Sequence, residues 1–397
     1  MTYALISFQW VFALPVTVAL VYFALETLLG LKPLGQRPPK TSGAAEEQAA
    51  VLIPAHNEEA VIIETVTALR ASAPLARILV VADNCSDETA RYARAAGAEV
   101  AERHDLVKRG KGYALDHGRA RLASDPPACV VILDADCRIV EHGVAALASE
   151  VARTGGAVQA ANLVIGDAEG RSQAAISNFA MMVKNLFRAR GMARLGGGVL
   201  LFGTGMAFPW RLFEDLQLAT GDATEDIALG LDLARAGAVV TLADHVRVTS
   251  PPADAAGSRG QRTRWEHGFL KSMQRAAIPM LTSGLAQRSP LQTAVGLHMM
   301  VPPLALLVAL ALAVLGLVGA LMLLGGSVFP VALLAAAIAL AAMAVAAAWL
   351  AGGREVLPGA SLFAIPLYIL WKIPIYIAYL IKPNNEWNRT RRDGENG

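Results

Sequence analysis

Hydrophobic residues are unevenly distributed along this chain, and their placement restricts its architecture more than any other feature. Residues 9–31 read QWVFALPVTVALVYFALETLLGL, and strongly apolar sequence returns after about residue 293. A helix needs roughly 20 predominantly apolar residues to cross the hydrocarbon core of a bilayer. Between these regions, short apolar runs alternate with helical patterns, as is typical of a water-soluble α/β domain. We therefore expect a soluble domain that is flanked by membrane helices.

The first apolar segment, residues 9–31, is predicted to be a retained spanning helix. It is too long for the core of a signal peptide, no basic region precedes it, and no clear cleavage site follows it. Lys32, Arg37 and Lys40 follow directly. Because basic residues concentrate on the cytoplasmic side of a membrane, the central domain should lie in the cytosol. We expect an integral protein of the cell inner membrane.

Three more apolar segments, 297–324, 328–350 and 360–381, follow the soluble region. The first two are predicted to span the membrane. The third contains Lys372 and two prolines, and if all three crossed, the basic tail at 383–397 would lie outside, against the positive-inside rule. An interfacial or re-entrant segment would remove this conflict. We therefore favour an inside tail and one segment that does not span.

These segments divide the chain into five predicted parts, with membrane lipids as partners. In order, they are an N-terminal membrane helix with a basic linker (1–40), a cytosolic domain (41–270), interfacial helices (271–296), C-terminal transmembrane or interfacial helices (297–382) and a basic tail (383–397). The tail, with the sequence EWNRTRRD, suits anionic lipid better than a catalytic role.

Charge and cysteine content exclude two functional classes. Lys and Arg number 35 against 33 Asp and Glu, so the formal net charge of +2 gives no electrostatic case for nucleic-acid binding. The three cysteines, Cys85, Cys129 and Cys137, have no metal-ligand spacing, and their odd number argues against a disulfide framework. The central domain should therefore occupy a reducing compartment.

The central region is predicted to contain βαβ units and a mostly parallel sheet. Apolar runs alternate with helical patterns in it, and the runs predicted to be strands are 50–54, 77–83, 99–103 and 129–136. Ligands of such sheets bind beyond the carboxyl ends of the strands. Asp83, Asp134 and Asp136 are placed at those ends.

Asp134 and Asp136 are separated by one alanine, and two carboxylates so close repel each other unless a positive group joins them. A divalent cation with oxygen ligands is such a group, since Mg²⁺ typically takes one or two carboxylates together with substrate phosphates. Alternatively, Asp134 caps a turn and Asp136 is solvated. The pair alone is weak support for a metal site.

Seven motifs strengthen the metal interpretation because they occur together and in order: VLIPAHNEE, VVADNCSDETA, GKGYAL, LDAD, GTGMAFPW, TED and QRTRW. Over about residues 48–270 the chain resembles the inverting family 2 glycosyltransferases of the polysaccharide-synthase type, which include cellulose, chitin and hyaluronan synthases. The resemblance implies an α/β GT-A fold, a nucleotide-diphosphate sugar donor, in particular a UDP-sugar, and Mg²⁺ or Mn²⁺.

The resemblance also assigns the donor site. Asp83 would hold the uracil base, and His56 would lie against it, although the family often has tyrosine there. Lys111 would approach the ribose or the phosphates. The residues implied to bind the nucleotide sugar are Pro54, His56, Glu58, Asp83, Lys111, Asp134 and Arg264, and those implied to hold the metal are Asp134 and Asp136. The alternatives are that His56 is a loop histidine without a special role and that Lys111 is a solvated lysine at a helix start.

The TED motif carries the acid–base chemistry that the resemblance implies. Asp226 would act as the general base on the acceptor hydroxyl, with Glu225 beside it, and such proton transfer contributes typically about 10²–10⁴-fold. The alternative is that Thr224 and Glu225 only cap a helix, where acidic residues suit the helix dipole.

Two further motifs are assigned to the acceptor and to the leaving group. Arg264 could hold a departing diphosphate through two hydrogen bonds, and the Trp265 ring could lie on an acceptor sugar. The residues implied to contact the acceptor are Gly203, Thr204, Gly205, Gln261 and Trp265. Alternatively, QRTRW belongs to an amphipathic helix at the membrane surface, with Trp265 in the aromatic belt.

The sequence thus predicts a membrane-embedded, metal-dependent inverting glycosyltransferase. It would form a β-linkage to a glycan or lipid-linked acceptor in exopolysaccharide or cell-surface glycan synthesis. A processive synthase that exports its own polymer is the alternative, but three or four apolar segments provide few walls for a channel unless the protein is an oligomer. An inactive scaffold subunit is a remote alternative, because all four motif aspartates, Asp83, Asp134, Asp136 and Asp226, are present.

Overall fold

The computed structural model describes residues 2–35, 43–164, 172–221, 224–250 and 255–381, without the side chains of 255–262. These residues form two compact units. The helical unit comprises the described residues of Met1–Lys32, Ala168–Gly196 and Leu270–Pro383. The sheet unit comprises those of Pro33–Asp167 and Gly197–Phe269.

The sheet unit is built on eight strands: β1 (Ala49–Ala55), β2 (Arg77–Asp83), β3 (Glu99–Arg103), β4 (Cys129–Ile132), β5 (Arg138–Ile139), β6 (Ala157–Val164), β7 (Met206–Pro209) and β8 (Val240–Ser250). They lie in the order β3-β2-β1-β4-β7-β6-β8-β5. Strands β3, β2, β1 and β4 are parallel to one another, and so are β6 and β8. Strand β7 pairs antiparallel with β4 and β6, and β5 pairs antiparallel with β8. The predicted mostly parallel α/β sheet is confirmed.

Helices connect these strands as the helical periodicity predicts. Those of the sheet unit are α2 (Gly43–Glu47), α3 (Ile62–Ser72), α4 (Thr89–Ala95), α5 (Lys111–Leu122), α6 (Gly143–Thr154), α9 (Trp210–Phe213) and α10 (Glu225–Arg235). The core between the sheet and its helices consists of aliphatic side chains with almost no exposure, among them Val51, Val66, Val80, Val131 and Leu147.

Two local predictions about this unit are corrected by the structure. The predicted strand 129–136 ends at Ile132, and the Cys137 N–H donates to the Asp134 carbonyl in the turn that follows. The sequence also predicts Ser86 or Asp87 as the cap of the helix after β2, and this is wrong, since Glu88 occupies the N-cap position of α4 and makes no side-chain cap bond. Asp87, which precedes the N-cap residue, accepts a hydrogen bond from the Thr89 N–H at 3.1 Å.

The remaining elements contain the apolar segments. They are α1 (Thr2–Leu29), α7 (Ser172–Met182), a π-helix (Val183–Arg188), α8 (Ala189–Gly196), α11 (Ala255–Gln287), α12 (Pro290–Met299), α13 (Leu304–Leu323), α14 (Val328–Leu350), two short 3₁₀ segments (Gly353–Glu355 and Gly359–Ala364) and α15 (Ile365–Ile381). The predicted segment 297–324 is therefore divided, because α12 ends before Pro302 and Pro303 and α13 starts after them.

Four helices are long and apolar enough to cross a membrane, and the described part of the chain places them at Thr2–Leu29, Leu304–Leu323, Val328–Leu350 and Gly359–Ile381. The third C-terminal segment, which we expected to be the ambiguous one, thus has the length and composition of a span. The sidedness of the tail stays a prediction.

A buried ionic cluster joins three elements of the helical unit. The Arg188 guanidinium lies 2.7 Å from Glu26 Oε2, and His298 Nδ1 lies 2.8 Å from Glu26 Oε1. The Glu26 side chain has no exposure, and those of Arg188 and His298 retain 7% each. A buried charge is tolerated when it is paired and hydrogen-bonded, so this cluster fixes α1 against the π-helix and α12.

Two glycines permit the close backbone approach beside this cluster. A Cβ at Gly30 would lie 1.7 Å from the Phe187 carbonyl oxygen, and one at Gly191 would lie 1.9 Å from the Glu26 carbonyl oxygen. Real Cβ atoms do not come so near to backbone, and backbone cannot rotate away as a side chain can. These positions therefore require glycine.

We predict that Gly30→Ala and Gly191→Ala each lower the thermal unfolding temperature of the detergent-solubilised protein. The added methyl groups separate α1 from its neighbours, and overpacking of this kind costs typically about 1–3 kcal/mol. Gly316→Ala is the matched control, because nothing lies within 4 Å of a Cβ there. Equal unfolding temperatures for all three variants would contradict the close packing.

Candidate active site

The donor-side residues lie where the parallel strands end. Asp83 is the last residue of β2 and pairs in register with Arg103, the last residue of β3. The Arg103 Nη1 donates to Asp83 Oδ1 at 2.6 Å, and the Asn84 side chain donates to the same oxygen at 3.0 Å. Asp83 is only 5% exposed, so a fixed carboxylate stands at this edge of the sheet. Sequence analysis did not single out Arg103.

His56 follows β1 and is fixed by the end of β2. Its Nδ1 lies 2.6 Å from the Asp83 carbonyl oxygen. Since a carbonyl only accepts, Nδ1 carries the proton and donates it, which leaves Nε2 as the acceptor of the neutral ring. Glu58, two residues later, donates its backbone N–H to Thr89 Oγ1 at 2.7 Å. These contacts tie the loop after β1 to the loop after β2.

Pro54 lies inside β1 without a cost to the sheet. It is in register with Val81 of β2, but the pairing of β1 with β4 ends earlier, at Leu52 and Ile132. Proline lacks the N–H that a strand with two neighbours needs, and it is tolerated where pairing has stopped. The last residues of β1 are therefore paired with β2 but not with β4.

Lys111 and carboxylates form the centre of the site. Lys111 is the first residue of α5, and its Nζ lies 2.5 Å from Asp134 Oδ1 and 2.7 Å from the Gly203 carbonyl oxygen. Glu225 Oε1 lies 3.8 Å from the same ammonium. The Lys111 side chain is 19% exposed, so the alternative of a solvated helix start is wrong. Its approach to ribose or phosphates stays a prediction.

Burial and mutual repulsion shift the pKa values in this centre. Burial, reinforced by Asp136, raises the pKa of Asp134 in spite of the Lys111 ammonium. Burial also raises the pKa of Glu225 to about 7, opposed by Lys111 and reinforced by Asp226. Burial alone would lower the pKa of Lys111, but Asp134 and Glu225 outweigh it and raise that pKa. The centre therefore holds more negative charge than Lys111 neutralises.

The turn Gly203–Thr204–Gly205 connects the two acidic motifs. The Asp134 N–H donates to Thr204 Oγ1 at 3.1 Å. A Cβ at Gly203, where φ is +85°, would lie 3.3 Å from Asp226 Oδ2. Gly205 also has a left-handed backbone, with φ of +66°. A side chain at Gly203 would therefore crowd the Asp226 carboxylate, and glycine avoids this contact.

The TED motif begins α10 as the sequence predicts. Glu225 and Asp226 occupy its first turn, where the helix dipole favours negative charge. Thr224 is the N-cap residue but makes no side-chain cap bond. The sequence also predicts that the apolar positions Ile227, Leu229, Leu231 and Leu233 of this helix are buried, and all four are buried. The helix core thus fixes the direction in which both acids emerge.

The QRTRW motif lies in α11, close to the start of α10. A Cβ at Gly268 would lie only 2.3 Å from Thr224 Cγ2, so the two helices are in close contact there. Arg264 precedes Gly268 by four residues and shares its helix face, and burial lowers the pKa of Arg264. Trp265 is 43% exposed. The side chain of Gln261 lies outside the described residues.

The residues present fit a metal held by two carboxylates. No set of three or more His, Cys, Asp or Glu side chains that could hold a metal occurs among the residues the structure describes. Asp134 and Asp136 nevertheless lie on one turn, and the repulsion between them is felt in the raised pKa of Asp134. A cation that takes its remaining ligands from substrate phosphates and water needs no third protein ligand.

The fold and the acidic sheet edge define the class of this protein as a GT-A-like glycosyltransferase. A profile of the glycosyltransferase-like family 2 matches residues 47–268, and the chain belongs to this family. The motif-based assignment is therefore confirmed for family 2, and the polysaccharide-synthase type stays a prediction.

The solved structure of a mannosyltransferase agrees with this fold. A mannosyltransferase of Pyrobaculum calidifontis, solved with GDP-mannose and Mn²⁺, is 18% identical with a TM-score of 0.57, over 97% of this chain and all (100%) of that one. Glucosyl-3-phosphoglycerate synthase of Mycobacterium tuberculosis, solved with Mn²⁺, UDP-glucose and phosphoglyceric acid, is 21% identical with a TM-score of 0.39, over 59% of this chain and 86% of that one. No curated protein sequence matches this chain.

We predict that Glu225→Gln stabilises the protein above neutral pH. Since the folded-state pKa of Glu225 is raised from 4.5 to about 7, the folded protein retains a proton that the unfolded chain releases between these values. The free energy of unfolding must therefore fall as the pH rises through this window. The variant should lose that fall and unfold a few °C higher than wild type at pH 8, by about 1–3 kcal/mol.

Thermal unfolding at pH 5 and pH 8 measures this effect. The control is Glu141→Gln, at a side chain that is 83% exposed, which should match wild type at both values. A Glu225→Gln variant less stable than wild type at pH 8 would show that Glu225 is ionised in a favourable pair.

Proposed function

We propose that the protein transfers a sugar from a nucleotide-diphosphate sugar to a glycan or lipid-linked acceptor at the inner membrane, with inversion to a β-linkage. One observation carries the proposal: Asp134 and Glu225, from separate motifs, meet around the Lys111 ammonium at the sheet edge. Such an excess of carboxylates is suited to a cationic cofactor and an acceptor hydroxyl, and the family membership gives the reaction class.

The donor base is proposed to lie between His56 and Asp83. Arg103 holds the Asp83 carboxylate in place, so this carboxylate can accept an N–H from the edge of a base. The imide N–H of uracil meets this requirement, and so does the N1–H of guanine. We place a UDP-sugar first and keep both bases in the test.

Asp134 and Asp136 would hold Mg²⁺ or Mn²⁺. When bound, the ion supplies positive charge against the charge that grows on the leaving diphosphate. Lys111 pairs with Asp134 in this structure. When a metal cation binds that carboxylate, the Lys111 ammonium would be able to pair with a donor phosphate. Arg264, on the α11 face that packs against α10, would hold the diphosphate as it departs.

Asp226 is proposed to take the proton of the acceptor hydroxyl. The acceptor oxygen then attacks the anomeric carbon, and the bond from this carbon to the diphosphate breaks on the opposite face. Glu225 is the neighbouring acid–base group, and its pKa of about 7 suits proton transfer near neutral pH. The lack of a side chain at Gly203, beside Asp226 Oδ2, supports an acceptor approach from that side, and Trp265 would lie against the acceptor sugar.

The membrane role is also proposed. Four helices have the length and apolarity of spans, which supports membrane embedding with a cytosolic sheet unit. So few helices favour limited additions over a polymer channel within one chain, and a processive oligomer is the alternative.

We predict that the purified protein hydrolyses or transfers at least one member of a panel of UDP- and GDP-sugars in the presence of Mg²⁺ or Mn²⁺. Asp226→Asn should abolish transfer and retain nucleotide binding close to that of wild type, because it removes the base and keeps the side-chain shape. Product length in the same assay separates limited from processive addition.

Asp232→Asn is the matched control on the same helix, since its side chain is 60% exposed. It should keep full activity. Substantial turnover by Asp226→Asn would remove Asp226 from the base role, and an inactive wild type that binds the full panel would favour a scaffold subunit.

We predict further that Asp136→Ala loses metal-stimulated turnover and binds Mn²⁺ more weakly. Mn²⁺ binding is measured by electron paramagnetic resonance in the presence of UDP, which gives a readout independent of activity. Asp125→Ala, at a side chain that is 89% exposed, is the control. Unchanged Mn²⁺ binding by Asp136→Ala would show that the ligand assignment is wrong.

A further inference from the structure

A short loop of the sheet unit exposes two aliphatic side chains that the proposed chemistry does not use. Between β3 and α5, Leu106 is 78% exposed and Val107 is 91% exposed. Lys108 and Arg109, which follow, are exposed as well. We call residues 105–109 the tip. Exposed apolar side chains in a cluster with basic neighbours are typical of surfaces that meet a partner.

The tip is held rigidly by its own polar groups. Asp105 Oδ1 accepts the N–H groups of Val107 and Lys108, each at 2.9 Å. At the end of β3, Arg103 Nη2 donates to the Lys108 carbonyl oxygen at 2.7 Å and lies 3.2 Å from Asp105 Oδ2. The exposure of Leu106 and Val107 is therefore built into the fold.

This hydrogen bonding also lowers the cost of placing the loop in an apolar medium. An unpaired backbone group is costly in the absence of water, but the N–H groups of Val107 and Lys108 and the Lys108 carbonyl are already satisfied inside the protein. The side chains that remain outside are two aliphatic ones and two cationic ones. Aliphatic groups favour the acyl boundary of a bilayer, and cationic groups favour its anionic headgroups.

We propose that the tip docks into the headgroup region of an anionic bilayer, with Leu106 and Val107 buried and Lys108 and Arg109 against lipid phosphates. The inference rests on the membrane embedding proposed above, since the four candidate spans in the same chain keep a bilayer within its reach. The docked tip would make a peripheral contact with lipid, in addition to the contact that the spanning helices make.

The position of the tip gives this contact a consequence for catalysis. The tip follows the carboxyl end of β3, beside Asp83 and on the edge of the sheet where the proposed donor and acceptor residues lie. Docking there turns that edge toward the lipid surface. A lipid-linked acceptor, whose sugar stands close to the headgroups, would then meet the site without leaving the membrane.

The test measures the depth of the tip with an environment-sensitive fluorophore on single cysteines. The background is Cys85→Ser, because Cys129 and Cys137 are 3% and 1% exposed and burial raises the pKa of both thiols, which keeps them unreactive. The test site is Val107→Cys. The protein is placed in nanodiscs that contain anionic phosphatidylglycerol and spin-labelled quencher lipids.

Two control sites bracket the result. Leu75→Cys is 53% exposed and precedes β2, at the opposite edge of the sheet, and Leu312→Cys is 56% exposed on the spanning helix α13. We expect lipid quenching at Val107 to be several-fold above that at Leu75 and below that at Leu312. Lys108→Glu with Arg109→Glu, or zwitterionic lipid alone, should reduce the quenching at Val107.

Other outcomes overturn the inference in distinguishable ways. Quenching at Val107 equal to that at Leu75, with Leu312 strongly quenched, removes the docking and leaves the membrane embedding intact. A fluorescence change that follows UDP and Mg²⁺ in place of lipid identifies a lid over the nucleotide. Absence of quenching at Leu312 overturns the membrane embedding, and the tip proposal fails with it.

Discussion

The electrostatic imbalance around the Lys111 ammonium is the constraint on which the site depends. Asp134 lies 2.5 Å from it and Glu225 lies 3.8 Å from it, while Asp136 and Asp226 add repulsion from either side. Carboxylates removed from water need positive partners, and one ammonium cannot satisfy all of them. The site is consequently suited to bind a further cation. Without one, burial and the excess negative charge raise the pKa of Glu225 to about 7, so that this carboxyl is partly protonated near neutral pH.

The fold creates this imbalance by bringing together elements that end at one place. The segment after β4 contributes Asp134 and Asp136, the first turn of α10 contributes Glu225 and Asp226, and the first residue of α5 and the glycine turn before β7 contribute one group each. Thr204 links the turn to Asp134 through a hydrogen bond, and the lack of a side chain at Gly203 keeps the turn from crowding Asp226. The contact of Gly268 with Thr224 then fixes α11 and its arginine beside the same helix start. A shift in any of these elements would alter the charge balance of the whole site.

The helical unit shows the opposite use of buried charge. There each oxygen of Glu26 has its own partner, Arg188 on one side and His298 on the other. A cluster that is satisfied in this way stabilises an arrangement of helices and attracts nothing further, whereas breaking it by removal of one partner is strongly destabilising. We therefore interpret the fully buried Glu26 cluster as structural and the half-buried Lys111 centre as functional.

The sequence by itself determined the apolar segments, the first four strands with their connecting helices, the family and the identity of the acidic motifs. These features are local: hydrophobic periodicity and motif spacing are read over a few residues. The tertiary structure alone decided that Lys111 pairs with Asp134, that Arg103 holds Asp83, that the strand before Asp134 ends at Ile132, and that β7 and β5 run antiparallel. Each of these depends on strand register and on contacts between residues far apart in the chain, and a register is set by the packing of whole elements, which no short stretch of sequence encodes.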